Sequence, residues 1–549
     1  MKPVLALYGI PDRYRNKYPA YVHDHNLTLW CDGRVERYVH LERLTRRKMD
    51  NRLPERLEAI LDEWQLREFD LVSVNSFVGD QMITHGGRLR VGPASSRRVD
   101  RVNPGRAWCQ TSAWEGYAPV AATVSHELAH VYSCIPFFGP FRENSLLVHF
   151  DGGASCGNFS AWLYCNGRAE LLECHWELSH LSKLFNDNAL SFALMQSRPG
   201  EHGSVPGKLM GYAAMGTPNP DLEDWLMSHD YFRDIWHNQS RFSDRARTDW
   251  NWKGDLSQND DAFLMDIAAC FQAIFQRGIT QKIEGLRKQT GAEFLYYTGG
   301  CALNIRTNTQ LVDKGEFRRV FIPPCCNDAG LSLGAAAAYA SDTTGDLHSP
   351  YLNGYGLSRT FDYSTEDIRC AASMLVKGKI IGVCNGYGEA GPRALGNRSV
   401  LARADSRSLA QNLSRNRKGR EWFRPVAPVM LERNALKYTG YPKIDALADF
   451  MLLDFPILPA YQNELAGVVH QNGTARIQTI RTRNQNPYLF DLLTHLDEKY
   501  QLGALINTSF NRRGEPIVHT PADASAAATS MALDGLVING TLWTGPKYI

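Results

Sequence analysis

An α/β fold of the mixed α+β kind, in two domains, is what the sequence predicts, and three observations predict it. Short apolar runs of strand length alternate with helix-period segments. Several of those runs end in turns built from Asp and Gly. One polar stretch rich in Gly, Pro and Asp, Ser341 to Leu357, divides two such patterns.

Val4 to Tyr8 reads as the first strand, and Leu27 to Cys31 as a second that ends at Asp32-Gly33, a hairpin signal. Strand-like runs recur at Leu71 to Val74, Leu146 to Phe150, Phe294 to Tyr297 and Val320 to Pro324. Helical periodicity marks Leu53 to Trp64 and Phe263 to Phe275, and a small-residue helix runs from Leu333 to Tyr339. After the polar stretch a helix, Thr365 to Val376, leads into a strand, Ile380 to Cys384. The domains are therefore expected at 1–345 and 358–549.

The chain has 549 residues, enough for two to four units with full cores. Its 60 basic and 58 acidic residues nearly cancel, which argues against a nucleic-acid partner. Its 12 cysteines include no CxxC pair, as expected of reduced thiols. No signal-peptide core opens the chain, and no run approaches the ~20 apolar residues of a membrane span. A soluble, cytoplasmic protein without a membrane partner is expected.

One helix and three turns carry candidate chemistry. Ser125 to His130 reads SHELAH, and His126 and His130, four apart, share one face of a helix, a spacing that can hold one metal ion. With Glu127 it also spells HExxH, the pattern of zinc peptidases, in which Glu127 would be the general base. The strand to Phe150 ends in Asp151-Gly152-Gly153, where glycines admit close backbone approach to an anion and the aspartate can hold a cation; a plain hairpin turn fits equally. Gly299-Gly300-Cys301-Ala302-Leu303-Asn304 and Asn327-Asp328-Ala329-Gly330 repeat the strand–turn–helix theme.

The C-terminal part is locally basic. GPRALGNRS carries Arg393 and Arg398, KGREWFRP carries Lys418, Arg420 and Arg424, NGTARIQT carries Arg476, and NTSFN carries Asn507 and Ser509. Guanidinium forks suit phosphate and carboxylate, so several of these cations folded together would make an anion site.

In this order the motifs resemble the NodU/CmcH-type O-carbamoyltransferase family, which includes enzymes acting on nodulation factors, cephamycins and tobramycin. His23-Asp24 with Asp32-Gly33 is similar to that family's HDASAA…DG opening, LERLTRRKMD to its ERxTRxKHD segment, and KLMGYAAMG to its KLMGLAPYG. The resemblance implies an N-terminal domain of the sugar-kinase/actin-like ATPase fold and a C-terminal YrdC-like domain. It implies ATP and carbamoyl phosphate as substrates, carbamoyl adenylate made in the C-terminal domain, and transfer to a hydroxyl of a small-molecule acceptor, a natural product by analogy, in the N-terminal one. His126, His130, Asp328 and Asp151 would bind a divalent metal, Fe(II) first, with Mg, Mn or Zn as other choices. Gly152, Gly153, Gly299, Gly300 and Asn304 would face the nucleotide. Arg393, Arg398, Arg420, Asn507 and Ser509 would hold the anion and adenylate. Lys418, Arg424, His23 and Asp24 would be catalytic, with His23 either a base or a hydrogen-bond donor. A homodimer is the family's implied assembly.

This chain departs from the family pattern in places. Glu127 replaces a histidine and is expected to face away from His126 and His130. His25-Asn26 stand for Ala-Ser, Tyr387 for an arginine, and Asn472 for an aspartate. These changes also motivate a catalytically degenerate, nucleotide-binding regulatory protein as the second reading, with an HExxH metallopeptidase as the third.

Overall fold

Asp32 and Gly33 both take positive φ, 48° and 79°, the mirror-image turn whose twist matches a hairpin. They join Asn26–Cys31 to Arg34–His40, and Val4–Tyr8 pairs antiparallel with the first of these. Asp70–Val74 and then Ala121–Val124 add in parallel on the far side. The computed structural model of the chain describes residues 2–11, 22–76, 79, 81–92, 102–104, 107, 109–111, 119–185, 189–197, 202–229, 238–340 and 347–545.

The second sheet repeats this plan. Ser145–Phe150, Phe159–Cys165 and Arg168–His175 form an antiparallel meander. Phe294–Thr298 and Arg319–Phe321 then add in parallel beside Ser145–Phe150. Both sheets thus share the spatial order third, second, first, fourth, fifth. The duplication shows in topology, whereas the sequence shows no repeat.

A third, seven-stranded sheet is built from the C-terminal part. Leu505–Ser509 lies inside it, antiparallel to both Arg398–Arg403 and Ala427–Leu431. The expected boundary is more interwoven than a linker. Residues 341–346 lie outside the described residues. Tyr351–Asn353 pairs with Arg34–His40 of the first sheet, and Gly388–Glu389 pairs in turn with Tyr351–Asn353. Strands from beyond position 345 therefore complete the first sheet's edge.

The helix expected over Phe263 to Phe275 runs from Ala262 to Thr290. Asp261 caps it through its side chain, and Gly291 ends it at φ 69°. Glycines at 278 and 285 mask its periodicity, and Gly278 exists because a Cβ there would meet Leu181 at 2.7 Å. By length and composition this helix could cross a membrane, yet Leu264, Ile267, Phe271, Phe275 and Ile283 bury it in the core beneath the second sheet.

Candidate functional site

Ser125 starts the histidine helix, His126–Tyr132, by accepting a hydrogen bond from the Leu128 N–H. The alanine-rich helix, Leu331–Tyr339, lies against it with almost no gap: a Cβ on Gly334 would fall 1.7 Å from the Ala129 carbonyl oxygen. That contact brings Asp328, on the turn just before the alanine-rich helix, under the two imidazoles.

His126 Nε2 and His130 Nε2 are 3.1 Å apart. Asp328 Oδ1 lies 3.6 Å from the first and 3.4 Å from the second, and Asp151 Oδ2 lies 3.5 Å from His130. Donors on one ion at about 2.1 Å stand up to about 4.2 Å apart, so all of these separations fit a shared ion. The facing Nε2 atoms add to that fit, since a lone pair on each needs a cation or proton between them. Burial penalises the charge on Asp328, but His126, His130 and His23 more than offset this and hold its pKa well below the usual range. Imidazole with carboxylate suits Fe(II), Mn or Zn better than a site made of oxygens alone.

Beside this cluster, Asp24 takes φ 55° and bridges two histidines: His23 Nδ1 at 3.0 Å and His40 Nε2 at 3.2 Å. Burial opposes the charged form of His23, but its bond to Asp24 and the nearby Asp328 and Asp151 raise the pKa to about 9. The bond to Asp24 fixes the ring at the cavity wall. Tyr8 donates its hydroxyl to Asp328 Oδ2 at 3.1 Å. Asn26 ties the two loops together by donating to the Asp24 and Asp328 carbonyls.

Glu127 does point away from the imidazoles. Its Oε1 accepts from the N–H groups of Cys156 at 2.6 Å and Gly157 at 3.1 Å, so it pins the glycine-rich turn that follows Asp151. A carboxylate committed to that turn is badly placed to activate water, which removes the geometric basis of the peptidase reading. His25 is likewise buried behind the cavity, where Nδ1 accepts from the Leu53 N–H. Gly299 adopts φ 94°, and a Cβ there would strike Phe150 O at 2.1 Å. Gly300 N–H donates to Asp151. Gly153 lies under Trp176, and Asn304 caps Ile305–Asp313 while exchanging two 3.0 Å hydrogen bonds with Gln272.

One cavity of about 860 Å³ joins this cluster to the arginines. His23, Asp24, Asp151, Gly152, Gly300, Asn304 and Asp328 line one end, and Arg393, Arg420, Arg424, Arg476, Asn507 and Ser509 line the other. Burial and mutual repulsion push Arg420 and Arg476 well below the usual arginine range, and bring Arg393 to about 10. Cations gathered at such cost are the signature of an anion site. The two ends meet at Gly391, whose Cβ would stand 2.2 Å from the Pro324 carbonyl.

Four residues expected to face nucleotide or anion do not line the cavity: Gly153 and Gly299, which pack against Trp176 and the Phe150 carbonyl, and Arg398 and Lys418. Arg398 is 1% exposed and spends its guanidinium on the carbonyls of His519, Asn385, Asn397 and Gly386. It braces the loop that carries Arg393 instead. The Lys418 ammonium is buried against the Ser509 and Asn511 carbonyls and orders the NTSFN turn. Tyr387 also lies elsewhere, under Arg359 in a small surface groove, whereas Asn472 is on the cavity wall. Sequence reasoning missed His40 and His149, and singled out Asn26 only as a departure from the family pattern. His149 lies near the end of the strand that leads to Asp151, and nothing local marked it.

Comparison with known proteins agrees with this geometry. Residues 113–337 match the model of the carbamoyltransferase N-terminus, and residues 372–544 that of the carbamoyltransferase C-terminus, together well over half of the chain. Nodulation protein NolNO of Sinorhizobium fredii is 27% identical over 95% of this chain and 79% of its own length. The 3'-hydroxymethylcephem-O-carbamoyltransferase of Streptomyces clavuligerus is 33% identical over 45% of this chain and 48% of its own. Among solved structures, full-length HypF in its phosphate- and nucleotide-bound form is 20% identical, with a TM-score of 0.23, covering 35% of this chain and 22% of that one; a likeness of that extent does not fix the fold. The chain belongs to the carbamoyltransferase family and is an enzyme of that class.

Proposed function

We propose that this protein is an ATP-dependent O-carbamoyltransferase that uses carbamoyl phosphate and carbamoylates a hydroxyl of a small molecule. The observation that carries this reading is the single cavity with arginines at one end and the His/Asp cluster at the other. The duplicated sheet order supports the actin-like ATPase fold for the N-terminal part, and the arginine-bearing third sheet is read as the YrdC-like domain.

Atoms balance in three steps. Water releases phosphate from carbamoyl phosphate and leaves carbamate. A carbamate oxygen attacks the α-phosphorus of ATP, and pyrophosphate departs. The acceptor oxygen then attacks the carbamoyl carbon, the bond from that carbon to the AMP oxygen breaks, and AMP leaves while the hydroxyl proton passes to the departing phosphate or to water. Arg393, Arg420, Arg424 and Arg476 would hold the anions of the first two steps and neutralise developing charge. Carbamoyl adenylate would cross within the cavity, shielded from water. His126, His130, Asp151 and Asp328 would hold a divalent ion, which as a Lewis acid supplies charge stabilisation at phosphate or carbonyl oxygen. His23, oriented by Asp24, would donate a hydrogen bond to the adenylate or the acceptor.

The test is carbamoyl phosphate-dependent exchange of pyrophosphate into ATP, with wild type beside Arg476→Ala and His126→Ala. Arg476 is the target because it lines the cavity, whereas Lys418 does not. Exchange that is lost in Arg476→Ala and kept in His126→Ala supports the division of labour. Absence of exchange in the wild type under every divalent metal would overturn the adenylate route.

A further inference from the structure

We infer that His149 is a third imidazole ligand of the same ion, which makes this a three-histidine centre. The inference rests on the metal reading of His126, His130 and Asp328 above.

Three observations carry it. His149 is fully buried on Ser145–Phe150, beneath the histidine helix and two residues before Asp151. Its Nδ1 is 3.1 Å from Ser160 Oγ on the neighbouring strand, while its Nε2 is buried with no hydrogen-bond partner among the described residues. A buried ring nitrogen without a partner is costly, and an ion beside it would relieve that cost. The ring stacks on His130 at 5.1 Å and 25° and faces His126 at 6.2 Å.

Ligand atoms of His126, His130 and His149 all lie within 4.8 Å of one another. Nitrogens on one ion at about 2.1 Å stand no more than about 4.2 Å apart, so a shift of at least about half an ångström is needed to seat His149 beside the other two. Ser160 then plays the outer-shell part, fixing the ring through its other nitrogen. If packing alone were required, a leucine would fill this place as Leu147 does one strand repeat earlier, without stranding a polar atom. Three imidazoles with one or two carboxylates select Fe, Co or Zn strongly over Mg.

The probe is Co(II), titrated into the full chain. Binding is read by equilibrium dialysis and visible absorption, and the imidazoles are counted by X-ray absorption at the cobalt edge. Wild type is expected to bind one ion through three imidazoles. His126→Ala should abolish binding. His149→Gln should weaken it by about 100-fold or more, the upper end of what loss of an outer-shell partner costs, and should change the absorption spectrum. Two imidazoles in the wild type would overturn the inference whatever the variant does, with the metal centre still standing. Uptake that His126→Ala leaves unchanged, or no uptake at all, would remove the metal reading itself, and this inference with it.

Discussion

Gly334→Ala isolates the contact on which the His/Asp cluster depends. The added Cβ would lie 1.7 Å from the Ala129 oxygen and 2.7 Å from the Ser133 nitrogen, all backbone, with no flexible side chain to swing aside. To restore even a 3.0 Å contact the helices must part by about 1.3 Å. Overpacking of this kind costs about 1–3 kcal/mol, less the ~0.5–1 kcal/mol that Ala gains over Gly in a helix. The same retreat carries Asp328 away from His130, from 3.4 Å toward and beyond the ~4.2 Å that one ion can bridge. Metal affinity should therefore fall more sharply than stability. Gly285→Ala is the internal control: its Cβ would meet nothing within 4 Å on the exposed side of Ala262–Thr290, and it should stabilise by ~0.5–1 kcal/mol. Urea unfolding and Co(II) uptake of both variants measure the pair. A Gly334→Ala protein as stable as the wild type, with unchanged uptake, would refute the claim that helix contact sets the spacing of the cluster.

Glu127→Ala should loosen the turn after Asp151 and cost about 1–3 kcal/mol, because two buried N–H groups lose their acceptor; denaturant unfolding measures it, and no peptidase activity should disappear because none should exist. His23→Asn should keep pyrophosphate exchange while carbamoyl transfer falls at least about 100-fold, the scale of a lost polar catalytic group; equal loss of both would place His23 in folding rather than transfer. His519 is buried with its pKa lowered to about 4 by desolvation, and its Nε2–H donates to the Tyr355 carbonyl. The unfolded chain binds this proton at a higher pH than the native one, so stability is complete above about 6.5 and falls as pH drops toward 4. That drop amounts to about 3 kcal/mol for this group, and His519→Gln should flatten the stability profile over the same window.

Legibility differed by physical cause. Val4–Tyr8 and Thr365–Val376 were readable to the residue, since each is bounded by its own local signal: a continuous buried run in the first, and a Ser364/Asp367 capping box in the second. The long helix was read at half its length, because a Gly that serves close packing looks the same in sequence as a Gly that ends a helix. The His126/His130/Asp328 grouping was readable because helix spacing fixes the pair and a family resemblance supplied the aspartate. Arg398 was misleading for the opposite reason. A motif marks it as important without saying whether its five donors face a ligand or the backbone. His149 and His40 were invisible because their partners lie on other strands, at separations that no local pattern encodes.

The charge layout of the cavity explains why the two halves must be interlocked rather than linked by a flexible hinge. The arginine end carries repelling cations, and the other end carries the carboxylates of Asp24, Asp151 and Asp328. Each end alone is electrostatically costly, and on the proposed route each would be relieved by a group of opposite sign: phosphate at one, metal at the other. A carbamoyl adenylate has one anionic phosphate and a neutral carbamoyl group, so it can lie along this gradient with its reactive carbon toward the metal cluster. That arrangement works only if the ends keep their register. Arg43 donates to the Gly391 carbonyl at 2.7 Å, and Lys208 pairs with Glu421 at 2.9 Å, both buried and both joining N-terminal to C-terminal elements. Arg306 and Asp454 add a third tie at 2.9 Å. Of these only Lys208–Glu421 is a buried ion pair, a poor source of stability that breaks at high cost when one partner is removed. The position of these ties around the cavity, together with the backbone contact at Gly391, is what a reactive intermediate confined between two sites requires.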